Sequence, residues 1–422
     1  MRRVAIIAIL ASSGLAVWSF ERSASGCGDP KELLQSMATN AVSDDPTVAE
    51  PAIRLLRTQG PAGLQALLTT HAEMITKHTA MQGLVIASSA AKHDPDPDEL
   101  AWQRLRTALD QVSGQRDCHA SRLFWYTDFD EAKAAAKREG KPLLSLRLLG
   151  KLTDEYSCAN SRFFRTTLYA NAEISEALRD RFILHWKSVR PVPKVTIDFG
   201  DGRKLERTLT GNSIHYVLDS DGRIIDALPG LYGPKAFLRE LERAEKTAKQ
   251  AAGMSAGERE SFLASYHRDR AAAIETAYQQ DLKTLGVAQA TTDDIWNRIA
   301  QLHAGDSQLD AASLALIRSQ HPAAAKAARL AISKMVVEDP LVRMVRNFQG
   351  SIGVDTARNE YLFHRQIHQW LAAGTTAEID AFNDRVYAEL FLTPRSDPWL
   401  GLMPADTYTA LENNGVKQAT ND

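Results

Sequence analysis

The stretch Pro142–Arg165 reads PLLSLRLLGKLTDEYSCANSRFFR. Its opening run is short, rich in leucine and bounded by Pro142 and Gly150, the pattern of a strand buried on both faces. A polar loop follows. Cys158 then stands at the head of a run whose apolar residues recur at helical spacing. A strand, a loop and a helix opened by one cysteine allow three readings: a working redox site, a one-thiol remnant of one, or a buried cysteine in a helix cap.

The neighbouring segments extend the pattern. DFDEAKAAAKREGKP is a short helix with Asp128 as its N-cap, stopped at Gly140 ahead of Pro142. Downstream, CANSRFFRTTLYAN and AEISEALRDRF are helices separated at Asn171, and FILHWKSV alternates like a strand. KVTIDF and KLERTLT flank Gly200-Asp201-Gly202, and SIHYVLD and RIIDALPG flank Ser220-Asp221-Gly222; both are hairpin signals. Gly233-Pro234 opens a long helix. Residues 118–251 therefore predict an α/β domain with the order α-β-α-α-β-ββ-ββ-α.

The flanks carry a different period. Residues 28–115 are helical in pattern, with Gly60-Pro61 closing one helix and opening the next. That helix pair resembles HEAT-type α-solenoid units. Residues 254–422 return to helical spacing, introduced by the capping box Ser255/Glu258, and the tail from Thr393 predicts an irregular segment anchored by Trp399. A length of 422 residues fits two or three domains. The 50 basic and 52 acidic side chains nearly cancel, and no basic stripe is interleaved with aromatics, which argues against nucleic acid as a partner.

Arg2 and Arg3 precede a run from Val4 to Phe20 without a charge, then small residues through Gly26. This predicts a signal peptide or N-terminal membrane anchor over residues 1–26, with the remainder exported to the periplasm or another extracytoplasmic space. Cys27 is the candidate lipidation site. If Cys27 is removed or lipidated, Cys118 and Cys158 remain, and in an oxidising compartment they are a candidate disulfide. That bridge would close a loop of about 40 residues and contribute about 3–4 kcal/mol by loop entropy. No C-x-x-C or C-x-x-C-H occurs, which argues against covalent c-type haem and against a cysteine-based zinc site.

The phrases FWYTDFDEAKAAAKREGKPLLSL, NAEISEALRDRFILHW and HYVLDSDGRIIDALPGLYGPKAFLREL, with a cysteine opening the helix after the first, resemble the thioredoxin-like superfamily in its exported bacterial form. The resemblance covers roughly residues 118–250. It implies that Cys158 occupies the position of the attacking thiol. It also implies two departures: Ser161 stands where the resolving cysteine would be, and Ser213 where the loop facing the thiol would carry a cis-proline. A serine cannot resolve a mixed disulfide, and a cis bond before a non-proline residue costs about 2.5–4 kcal/mol, so a trans loop is expected at Ser213.

Candidate chemistry follows from these positions. A helix N-terminus and Arg162 favour a Cys158 thiolate; Asp154 and Glu155 oppose it. His215, two residues beyond Ser213 on a predicted strand, is a candidate base or charge partner for Cys158, against the reading of a half-buried strand histidine. His119 adjoins Cys118. Glu360, His364 and His368 recur at i, i+4, i+8 and share a helix face, a candidate divalent-metal set completed by Asp355 or His303, against the reading of polar contacts to a neighbouring helix. No cofactor is implied. The function expected is a membrane-tethered binding or scaffold module of the cell envelope, with envelope proteins as partners. The alternative is monothiol disulfide exchange or isomerisation through Cys158 on exported protein thiols.

Overall fold

The computed structural model describes residues 29–83, 97–320, 347–374, 378–400 and 410–416. The expected leader at residues 1–26 and the lipidation candidate Cys27 lie outside the described residues. Among the described residues no helix is long and apolar enough to cross a membrane.

Leu143–Leu149 forms β1, and all seven of its residues are buried. Leu143, Leu144, Leu146, Leu148 and Leu149 supply this burial, each contributing about 1.5–3 kcal/mol relative to exposure. The strand is central. Its parallel neighbour is β2 (Ile183–Arg190), in the register Leu143 to Ile183, and its antiparallel neighbour is β5 (Ser213–Leu218), which places Leu146 opposite His215. β6 (Ile224–Pro229) pairs antiparallel with β5, giving the order β2-β1-β5-β6. β3 (Lys194–Asp198) and β4 (Lys204–Thr208) form a separate hairpin that leaves Ile197 and Phe199 exposed. The chain is thus a mixed α/β protein with a four-stranded sheet and helical flanks.

Local signals account for the helices around the sheet. Asp128 caps Phe129–Glu139 by accepting from the Glu131 N–H at 2.9 Å, and Gly140 ends it at φ +64°, a conformation glycine adopts without penalty. Asn171 caps Ala172–Arg181 through the Ile174 N–H. Pro234 opens the helix Pro234–Ala251, and the predicted capping box of Ser255 and Glu258 begins the 30-residue helix Ala256–Leu285. The run after Cys158 departs from a simple helix. Ala159–Phe163 is α-helical, and Phe164–Leu168 continues as a π-turn.

Among the described residues three apolar cores are present. One joins the N-terminal helices through Leu56, Leu67, Trp102, Leu105 and Cys118. The largest surrounds the sheet and also takes in Ile352, Ile367, Leu371 and Phe382 from the C-terminal segment. A smaller one holds Ile274, Leu282, Trp296 and Tyr361. The C-terminal helices therefore share the core of the sheet. Arg147, fully buried within β1, reinforces that junction: its guanidinium donates to Ser145 Oγ at 2.7 Å and to Asp380 at 3.2 Å.

Candidate functional site

Cys158 lies where β1 hands over to the helix Ala159–Phe163. Its backbone N–H donates to the Leu149 carbonyl at 3.3 Å, and its side chain acts as the N-cap, with Sγ accepting from the Ser161 N–H at 3.4 Å. The sulfur has no exposed surface. Burial pushes the Cys158 thiol up, against the smaller opposing effects of the Ser161 and Leu149 backbone bonds and the Arg162 charge. A five-residue helix carries little dipole to reverse this. Arg162 is itself committed elsewhere, to the Ser157 carbonyl at 2.6 Å and Thr208 Oγ1 at 2.7 Å. The Ser161 hydroxyl turns to Ser157 Oγ at 2.8 Å.

The segment Thr210–Ser213 closes over this thiol. Thr210 carbonyl accepts the Ala159 N–H, and Ser213 Oγ accepts from the Asn160 amide at 3.0 Å. Gly211 permits the approach: a Cβ there would stand 2.7 Å from Asn160 Oδ1 and 3.2 Å from Ala159 Cβ. The C-terminal segment then covers the loop. Tyr387 hydroxyl donates to the Asn212 carbonyl, the Asn212 amide to Thr393 Oγ1, and Arg190 to the carbonyls of Thr393 and Asp397. Among the described residues every peptide bond is trans, Ser213 included, as the missing proline predicts. Ser213 serves as a clamp on Asn160.

His215 directs its hydrogen bond to Tyr169. Its Nε2 meets the Tyr169 hydroxyl at 2.6 Å, and its ring lies between Phe164 and Phe237 at centroid distances of 4.6 and 5.0 Å. Burial holds its pKa down at about 3, so it is neutral. The buried strand histidine is the reading realised. His119 packs edge-on against Trp102, with its pKa lowered to about 4, chiefly by burial.

The expected Cys118–Cys158 bridge does not form: both thiols are free and buried, Cys118 in the N-terminal core and Cys158 in the core of the sheet. Cys118 Sγ faces the Leu123 carbonyl at 3.9 Å, and burial raises its pKa to about 12. Each sulfur is held by a different apolar cluster, so pairing them would require one core to open.

The metal candidates are also rearranged. Asn359–His364 is a π-turn, which breaks the α-helical register that placed Glu360 on the histidine face. Glu360 instead meets Arg239 at 3.3 Å, and His303 meets Asp281 at 2.7 Å. The groups that converge are Asp226, His364 and His368, whose candidate ligand atoms lie within 4.8 Å of one another; Glu360, Asp355 and His303 are not among them. Burial acts to raise the Asp226 carboxyl, but the surrounding His368, His364 and His267 rings hold it well below the usual range. Sequence reasoning missed Asp226. Its signal was an acid in the otherwise apolar run IIDALP, where an ionised side chain needs a partner.

Compared with known proteins, the chain matches no family model, and no curated protein matches its sequence.

Proposed function

We propose that this protein is an exported, membrane-tethered binding or scaffold module whose thioredoxin-like domain does not turn over disulfides. The element order that carries the resemblance to the thioredoxin-like superfamily supports that reading of the domain, together with a cysteine at the N-cap of the helix after β1. Export and tethering rest on the charge pattern of residues 1–26. Envelope proteins are the partners this placement implies.

The observation that carries the non-catalytic reading is the enclosure of Cys158. Thiol exchange requires an accessible thiolate to attack a disulfide sulfur. Here the sulfur is fully buried, its thiol is stabilised against ionisation, and Ser161 replaces a resolving thiol.

Labelling the native, unreduced full chain with a thiol reagent, with peptide mapping by mass spectrometry, tests this. Cys158 is expected to stay unmodified in the native protein and to react as a free thiol after denaturation. Rapid native labelling with a titration midpoint well below that of an ordinary cysteine would establish the monothiol-exchange alternative and end the scaffold reading.

A further inference from the structure

The cluster below β6 is built from four elements. Asp226 comes from β6, Tyr266 and His267 from the helix Ala256–Leu285, His364 from the end of the π-turn, and His368 from the helix Arg365–Ala372. Asp226, His364 and His368 have no exposed surface, and His267 is buried with them. His364 Nε2 stands 3.0 Å from Asp226 Oδ1, and His368 Nε2 stands 3.7 Å from the same oxygen. The two imidazoles are stacked at 4.4 Å.

The proton inventory leaves a gap. His368 Nδ1 meets His267 Nδ1 at 2.9 Å, so one of these two nitrogens donates and the other accepts. If His368 donates, its Nε2 is a bare lone pair aimed at an ionised carboxylate oxygen. If His368 accepts, its Nε2–H points at that oxygen from 3.7 Å, too far for a hydrogen bond. Neither tautomer satisfies it, and His368 Nε2 has no hydrogen-bond partner among the described residues. A buried polar atom left in this way calls for an ion or another group to complete it.

A cation resolves the arrangement. In a tetrahedral site with bonds of about 2.0–2.2 Å, ligand atoms sit roughly 3.3–3.5 Å apart, and the two separations here fall either side of that value. Outer partners are already in place. The Tyr266 hydroxyl donates to Asp226 Oδ2 at 2.8 Å, the Ala227 N–H donates to Oδ1 at 2.8 Å, and His267 is positioned to accept the His368 Nδ1–H. His364 Nδ1 lacks such a partner among the described residues. The nearby guanidinium of Arg270 is neutralised by Glu240 at 3.0 Å.

We propose that Asp226, His364 and His368 hold a divalent transition-metal ion that fastens the C-terminal helices to the sheet. Two neutral imidazoles and one carboxylate suit zinc or a metal of similar preference. Complete burial makes the role structural, because no substrate reaches the ion. None of these ligands depends on the state of Cys158.

The test uses the full chain, unfolded and refolded with zinc or cobalt(II), then desalted. About one equivalent of zinc per chain is expected to remain bound, and the thermal midpoint is expected to rise over protein refolded with chelator. His368→Gln and Asp226→Asn are expected to lose the ion, whereas Glu360→Gln keeps it. The cobalt(II) spectrum of the wild-type protein provides a second readout that does not depend on the folding of those two variants. Intense visible d–d bands of low-coordinate nitrogen and oxygen ligation support the site. Recovery of a folded wild-type chain that retains neither metal, or cobalt showing only its hydrated spectrum, would mean that Asp226 and His364 form a metal-free ion pair and would overturn the proposal.

Discussion

The Tyr169 hydroxyl lies 2.6 Å from His215 Nε2, deep beneath the helix that Cys158 begins. That contact occupies the imidazole nitrogen and keeps the ring in a site where charge is disfavoured. The histidine is therefore a buried neutral group with a consequence for acid stability.

His215 has a folded pKa of about 3 against an ordinary value of 6.5, set by burial. Between those values the unfolded chain binds the proton and the folded chain does not. Stability from this group is present above 6.5 and is lost as pH falls through that window, with a slope approaching about 1.4 kcal/mol per pH unit. His215→Gln is expected to flatten the acid side of the profile while costing about 1–2 kcal/mol at neutral pH through the altered Tyr169 contact. Urea unfolding of both proteins across this range reads the difference; parallel profiles would show that His215 is not the titrating group.

Asp110 predicts the opposite sign. It accepts the Cys118 N–H at 2.9 Å, yet burial raises its carboxyl from 3.8 to about 6. Here the folded state holds the proton longer, so stability falls as pH rises from 3.8 to about 6 and stays reduced above it. Asp110→Asn preserves an acceptor for Cys118 without the charge. It is expected to stabilise the protein by about 1–3 kcal/mol at pH 7, with the gain shrinking toward pH 4. A loss of stability at pH 7 would contradict this.

Gly211 lets the Thr210–Ser213 segment approach Ala159 and Asn160, the residues that follow Cys158. Adding a methyl group brings it within 2.7 Å of Asn160 Oδ1, so the Thr210–Ser213 loop or Asn160 must shift. Gly211→Ala is expected to cost about 1–3 kcal/mol locally, as overpacking does, and to raise the rate of native Cys158 labelling about tenfold or more through local opening. An unchanged labelling rate would mean that the loop is not the cover.

Asp380 joins the C-terminal helices to the sheet through buried Arg147 at 3.2 Å and through Lys187 at 2.6 Å. Asp380 is partly solvated, so the penalty is discounted below that of a fully buried pair. Asp380→Ala is expected to cost about 1–3 kcal/mol, mostly by leaving the Arg147 guanidinium without its carboxylate. Hydrogen exchange should accelerate first in Ile379–Arg385. Uniform acceleration across the sheet would argue against a local junction.

Much of the fold was legible because its signals are local. Asp128, Asn171 and Gly140 mark helix ends through bonds spanning four residues or fewer, and the two hairpins are marked by their turn residues. The π-turns were not legible. Their cause is tertiary packing, and one of them removed Glu360 from the face it would share with His364 on a regular helix. The candidate thiol was found by position, but its environment was not, because Gly211, Asn212 and Tyr387 close on it from distant parts of the chain.

By itself the sequence determined the order of strands and helices, and it placed one cysteine at the head of the helix after β1. Caps, turns and alternation act between near neighbours, where chain connectivity guarantees the contact. Tertiary structure decided which buried polar groups meet. It separated Cys118 from Cys158 into different cores, gave His215 to Tyr169, and brought Asp226 to His364 across 138 residues. A buried ionisable group must find a partner wherever packing supplies one, and that choice is made by desolvation over the whole fold.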